Sequence, residues 1–267
     1  MWKGWDKAMK QVYICTDTMT GLGSALYDAW KESRDKEAGI ELRGKVQQQL
    51  FCEYKTVVEC EDKAVKIAGM IKRHLGYNAY WDICNALLSD DSAKGEAVFH
   101  AMQEARRIPD SRKIMEHLGH PDVAKVFELS RRVSNEAHRY KEFIRFRELK
   151  NGVLFSEISP RAQILTCIAE HFSNRFPLEN WMICDKTHGI SLVHPARDKC
   201  RLVWGVELNP EAAGAVSDAE EAYETLWRVF FESISIKERE NPGLQRNMLP
   251  LRYRGDMPEF WTDRSES

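Results

Sequence analysis

Along most of the first 140 residues apolar positions recur at helical spacing. Between residues 143 and 206 they alternate, and beyond residue 217 the helical spacing returns. Val12–Cys15 predicts a short strand, followed by a polar turn, Thr16–Gly21, and a helix from about Leu22 to Lys31 with Thr20 as its cap. Tyr54–Glu59, rich in β-branched residues, predicts a second strand. Asp62 opens a helix with Val65, Ala68, Ile71 and Leu75 on one stripe. Two further helical stripes follow, Tyr80/Ile83/Cys84/Leu87/Leu88 and Ala97/Ala101/Met102/Ala105, before Arg106–Pro109 interrupts the pattern. A long helix then begins near Pro121-Asp122 and carries Val123, Val126, Phe127, Ser130, Val133, Ala137 and Tyr140 along one face.

The alternating region starts with Phe143–Leu149 and Val153–Ile158, which flank Lys150-Asn-Gly152 and predict a hairpin. Ser159-Pro160 has the order of a cap followed by a first-turn proline, so a helix is expected there, burying Ile164, Leu165, Ile168, Ala169 and Phe172. Three more strands are expected at Trp181–Cys184, Ile190–Val193 and Arg201–Val206. A polar linker, Asn209–Ser217, leads to a last helix whose apolar face holds Tyr223, Leu226, Trp227, Phe230, Phe231 and Ile234. The fold class implied is α+β: an antiparallel sheet over about residues 143–206 packed with helices, rather than alternating βαβ units, after a mainly helical N-terminal region with short strands. Two regions are expected, residues 1–120 and 121–267.

The 267 residues carry 39 Lys+Arg against 41 Asp+Glu, so any nucleic-acid contact must come from a local basic face. Seven scattered cysteines without a C-x-x-C pair fit reduced packing thiols, and no run of about 20 apolar residues predicts a membrane span; a cytoplasmic protein is expected.

Two basic concentrations stand out. Asn241–Arg254 holds Arg246, Arg252 and Arg254 with no acid between Gly243 and Arg254, which suits phosphate or an acidic partner; the alternative is a segment stapled to the core. Arg131–Arg147 is the second, with Arg139 and with Arg145 and Arg147 two apart on an expected strand, pointing to one face at a spacing that suits successive phosphates. Pairing of those arginines with sheet carboxylates is the alternative. His138, His171 and Asp185 are candidates for an acid–base cleft, if the helix holding His171 packs on the sheet. No carboxylate has ligand spacing to His188 or His194, and no metal site is expected. Gly21-Leu-Gly23 resembles a phosphate cradle only superficially, and Asp17 beside it is either a turn former or a functional acid.

The succession Glu136-Ala-His-Arg-Tyr140, Phe143-Ile-Arg-Phe146, Glu170-His-Phe172 with Arg175, Trp181–Asp185, and Asn241-Pro, Gln245, Met248, Pro250, Arg252-Tyr253, Met257-Pro-Glu259 resembles a bacterial family of "probable DNA metabolism proteins", a domain of unknown function. The strand, aspartate loop and helix from Tyr13 to Trp30 resemble its start, and the likeness is most specific from about residue 130 to Glu259. The resemblance implies an accessory role in DNA repair or modification beside a radical S-adenosylmethionine protein. That partner would carry the iron–sulfur cluster and S-adenosylmethionine, and this chain no cofactor. DNA contacts are then expected at Arg139, Arg145, Arg147, Arg246 and Arg252, and a partner or tail motif at Asn241, Gln245 and Tyr253. The rival expectation is an enzyme acting on a nucleobase or phosphodiester through His138, His171 and Asp185. A pure protein–protein adaptor is the third.

Overall fold

The computed structural model describes residues 9–205 and, beyond them, 216–217, 219–220, 222–223, 226–227, 243, 248–257 and 260. Chain contacts divide it into two units, residues 1–134 and 135–267. Among the described residues no helix is long and apolar enough to cross a membrane.

The first unit is built on a three-stranded parallel sheet, in the order β2-β1-β3, of β1 (Lys10–Cys15), β2 (Ala38–Leu42) and β3 (Cys52–Thr56). Helix α1 (Met19–Ser33) links β1 to β2, which makes β1-α1-β2 a βαβ unit. The strand β2 escaped the sequence reading because Ala38 and Gly39 are weak strand formers, yet four of its five residues are buried. Val12 and Tyr13, adjacent on β1, are both buried, so this central strand is covered on its two faces.

Thr18, not Thr20, caps α1, its hydroxyl accepting from the Gly21 N–H at 2.9 Å. Helix α2 (Glu61–Leu87) packs on α1 and bends at Gly76, whose φ of 84° only glycine adopts readily. The kink falls between the two apolar stripes legible in the sequence. Ile67, Ile71 and Leu75 face inward while Val65 is exposed. Helix α3 (Lys94–Ala105) buries the expected Ala97, Ala101, Met102 and Ala105, packs against β2, and is followed by a 3-10 turn, Ser111–Glu116.

Gly23 of α1 lies close against Ala64 of α2. A Cβ there would lie 2.8 Å from the Ala64 Cβ and 3.0 Å from its Cα. Alanine gains about 1 kcal/mol of helix propensity, but overpacking costs about 1–3 kcal/mol. Gly23→Ala is therefore expected to destabilise the protein in urea titration; a stabilised variant would show that the helices can part freely.

Helix α4 (Pro121–Phe143) runs across the boundary between the units. Its expected stripe is buried from Val123 to Tyr140, Phe127 only partly. The second unit holds a five-stranded sheet, order β4-β5-β6-β7-β8: β4 (Arg147–Glu148), β5 (Leu154–Ile158), β6 (Trp181–Asp185), β7 (Ile190–His194) and β8 (Arg201–Trp204). It is mixed, not antiparallel: β5 and β6 run parallel, and the other pairs are antiparallel. The cause is α5 (Leu165–Arg175), which lies between β5 and β6 in sequence and returns the chain to run in the same direction.

Three local expectations change. Helix α4 continues through Phe143, so the strand predicted at Phe143–Leu149 shrinks to Arg147–Glu148, although the Asn-Gly turn is present with Gly152 at φ 76°. The helix predicted at Ser159-Pro160 begins at Leu165 instead. Of the last apolar helix, Tyr223, Leu226 and Trp227 are helical and exposed, while Phe230, Phe231 and Ile234 lie outside the described residues. Val206 and most of the linker lie outside them too. The core of the sheet is aromatic: Trp181 on β6 is fully buried, stacked on His194 at 4.8 Å, with Phe146 and Phe172 edge-on to it.

Candidate nucleic-acid interface

The predicted phosphate contacts separate. Arg145 is off the strand, its guanidinium donating to the carbonyls of Glu142 and Ile144, so the pleat does not set it beside Arg147. Arg147 lies over the Phe155 ring, 6.0 Å from its centroid. Arg139 is exposed on α4 and, among the described residues, makes no ion pair or hydrogen bond. Arg246, Asn241 and Gln245 lie outside the described residues.

Arg252 and Tyr253 form an inward-facing group. Tyr253 is buried between the rings of Tyr140 and Phe143, at centroid distances of 4.9 and 5.1 Å. Arg252 lies over the Tyr253 ring and reaches the Glu136 carboxylate at 3.4 Å. That carboxylate is almost wholly buried and also accepts from the N–H groups of Arg161 and Ala162, at 3.2 and 3.0 Å. The short helical turn Leu251–Arg254 is thereby stapled to α4 and to the segment before α5. The alternative reading of the tail, attachment to the core, describes these two residues.

The acid–base trio does not assemble. His138 is largely exposed and pairs with Glu142 one turn on, 3.3 Å away. Asp185 is fully buried and belongs to the β6–β7 turn: it accepts from the N–H groups of Thr187 and His188, and its Oδ2 lies 2.6 Å from the His188 Nδ1. His171 has Phe172 as its ring neighbour. Among the described residues no contact joins any two of the three, and no three His, Cys, Asp or Glu side chains gather as they would around a metal ion.

What the fold does gather is positive charge around His171 on α5. His171 and Arg175 are one helical turn apart. The His171 imidazole is pushed below its ordinary range, first by burial and then by the cations of Lys141 and Arg175. Among the described residues, no carboxylate is a cause of this shift. Lys141 also lowers the neighbouring Cys167 thiol, although burial keeps that thiol above its ordinary value. One ammonium thus acts electrostatically on two successive turns of α5. Each cation sits in the last turn of its helix, where the helix dipole favours positive charge. The sequence placed Lys141 in a basic run and Arg175 in a family motif, without indicating that both act on His171; the spacing of residues 167, 171 and 175 was the available signal.

In the first unit, Asp17 proves to be an ion-pair partner. Its carboxylate lies 2.5 Å from the Lys94 ammonium, which is buried and also donates to the Ser89 carbonyl at 2.7 Å. Burial lowers the Lys94 pKa. Gly21 and Gly23 are packing glycines rather than a cradle: a Cβ on Gly21 would sit 2.3 Å from the Thr16 hydroxyl.

Comparison with known protein families matches residues 92–259 to the domain of unknown function DUF4130. The chain belongs to that family. The match covers well over half of the chain, opens two residues before α3 and closes at Glu259, as the sequence resemblance does. Within the DUF4130 domain fall Lys141, His171 and Arg175 as well as the Glu136–Arg252–Tyr253 staple, whereas Asp17 lies before it. No curated protein matches the chain.

Proposed function

We propose that this DUF4130 protein is an accessory factor of DNA metabolism that binds nucleic-acid phosphate through Lys141, His171 and Arg175. The observation that supports it is that, after burial, the cations of Lys141 and Arg175 act on the His171 imidazole, with no carboxylate among the described residues opposing them. An incoming phosphate there meets two fixed charges and an imidazole that gains a proton as it binds. Arg139 on the exposed side of α4 and Arg147 on β4 are secondary contacts, whereas Arg252 serves the fold. The sequence resemblance supports the second half of the proposal, a radical S-adenosylmethionine protein as partner, which would hold the iron–sulfur cluster and the S-adenosylmethionine.

Fluorescence anisotropy of a labelled oligonucleotide, measured across a salt series, tests the phosphate face. Affinity is expected to fall steeply with salt, and Lys141→Ala with Arg175→Ala to reduce the log–log slope by roughly two, since each phosphate contact contributes about 0.9 on duplex DNA. A slope unchanged in the double variant would remove this face from the reading.

A further inference from the structure

The first unit contains a half-open cavity of about 480 Å³ that takes no part in the proposed interface. Its floor is apolar, formed by Trp30 of α1, Met70 and Leu75 of α2, Met102 of α3, and Ile108. Two guanidinium groups, Arg34 and Arg106, stand at its rim. The volume is within the range of small-molecule sites, and an apolar floor with a few convergent charges is their usual composition.

The walls are held from several sides. Trp30 packs edge-on against Phe99, ring centroids 6.5 Å apart. The bend at Gly76 follows directly on His74 and Leu75, and the His74 carbonyl accepts from the Ser111 hydroxyl at 2.7 Å, which ties the 3-10 turn to α2. The Gln103 amide donates to the carbonyls of Arg34 and Lys36, at 3.0 and 2.9 Å, and anchors the rim loop to α3.

The rim already shows how it holds an anion. Asp35, on the exposed turn after α1, places one carboxylate oxygen 2.6 Å from the Arg106 Nη1 and the other 3.4 Å from the Arg34 Nε. Two guanidiniums share one carboxylate, so this part of the rim keeps a net positive charge. Arg106 also lies 5.8 Å from the Trp30 ring centroid, which brings cation and apolar floor together.

We infer that this cavity is a binding site for a small amphipathic organic anion, its apolar body on Trp30, Met70, Leu75, Met102 and Ile108 and its anionic head on Arg34 and Arg106. Asp35, which pairs with both guanidiniums, competes with that head for them. The Asp35 carboxylate is the side chain's own version of the ligand's head group.

The full chain is titrated with 1-anilinonaphthalene-8-sulfonate, whose flat apolar rings and single sulfonate match this description, and fluorescence enhancement is read. One saturable site is expected. Arg106→Glu should weaken it about tenfold by replacing an attractive charge with a repulsive one. Asp35→Asn should tighten it about threefold by removing the internal competitor, and its exposed position leaves folding intact. Ile108→Trp, which fills the cavity, should abolish binding of both the sulfonate and its uncharged relative N-phenyl-1-naphthylamine. Opposite shifts in the two charge variants support the site. Absence of saturable binding, or an affinity that both charge variants leave unchanged or move in the same direction, overturns it.

Discussion

Glu136→Ala is expected to destabilise the second unit by about 3 kcal/mol, because it breaks a buried charge pair and strands two N–H donors. The carboxylate is the common acceptor of the Arg161 and Ala162 N–H groups and the partner of Arg252. Arg252 is partly exposed, which keeps the loss at the lower end of the range for buried pairs. Arg252→Ala should cost about 2 kcal/mol, as expected for a hydrogen-bonded charged group. A double-mutant cycle by urea denaturation should show the two losses to be non-additive. The same variants separate two roles for the tail. If Arg252 serves the fold, Arg252→Ala lowers the unfolding midpoint and leaves oligonucleotide affinity within twofold of the parent. An unchanged midpoint with weakened DNA binding would restore Arg252 to the interface.

The second large effect is alkaline. Burial, assisted by the Asp17 carboxylate, pushes the Cys15 thiol up from 9.0 to about 12. The unfolded chain therefore loses this proton near pH 9 while the folded chain retains it, so stability present below pH 9 is lost as pH rises toward 12. At 1.36 kcal/mol per unit the loss is about 2 kcal/mol by pH 10.5 and on the order of 4 kcal/mol once the folded thiol ionises. Tyr80, raised from 10.0 to about 12, and Tyr140, Cys167 and Cys184, all raised chiefly by burial, act in the same direction. Lys94 opposes them: its pKa is lowered by burial, so its contribution grows as pH rises toward 10.5. Urea midpoints at pH 8 and 10.5 should fall steeply in the parent and less steeply in Cys15→Ala. Equal slopes in the two proteins would contradict the assignment.

These predictions rest on features legible in the sequence to different degrees. Apolar periodicity located α4 from Pro121 and the strands from Trp181 onward, because side-chain spacing is a local property of helix and strand. The two stripes read in the sequence lie on either side of the bend at Gly76, a break the stripes alone did not announce. Pairing direction is not local. The helical run Leu165–Phe172, placed between two strand patterns, is what makes β5 and β6 parallel, and reading it as a packing helix hid that consequence. Alternation in Phe143–Leu149 was mistaken for a strand because Phe143 ends α4 and Phe146 packs on Phe172 and Trp181 from a segment outside any strand.

The candidate site shows the same division. Charge density in the sequence pointed to Arg145, Arg147 and Arg252, but whether a guanidinium faces solvent, a ring or a buried carboxylate depends on residues distant in the chain. Lys141 and Arg175 are 34 positions apart in the sequence, yet both act electrostatically on His171. The buried pair of Asp17 with Lys94 likewise joins positions no motif connects.

The most direct test of the proposed interface is the His171 titration by NMR of its imidazole Cε1–H, without and with a saturating oligonucleotide. In the free protein the imidazole should titrate below 6.5, its ordinary value, and bound phosphate should move that pKa upward, with tighter binding as pH falls. A His171 pKa that is the same with and without the oligonucleotide would contradict a phosphate at the Lys141–His171–Arg175 face.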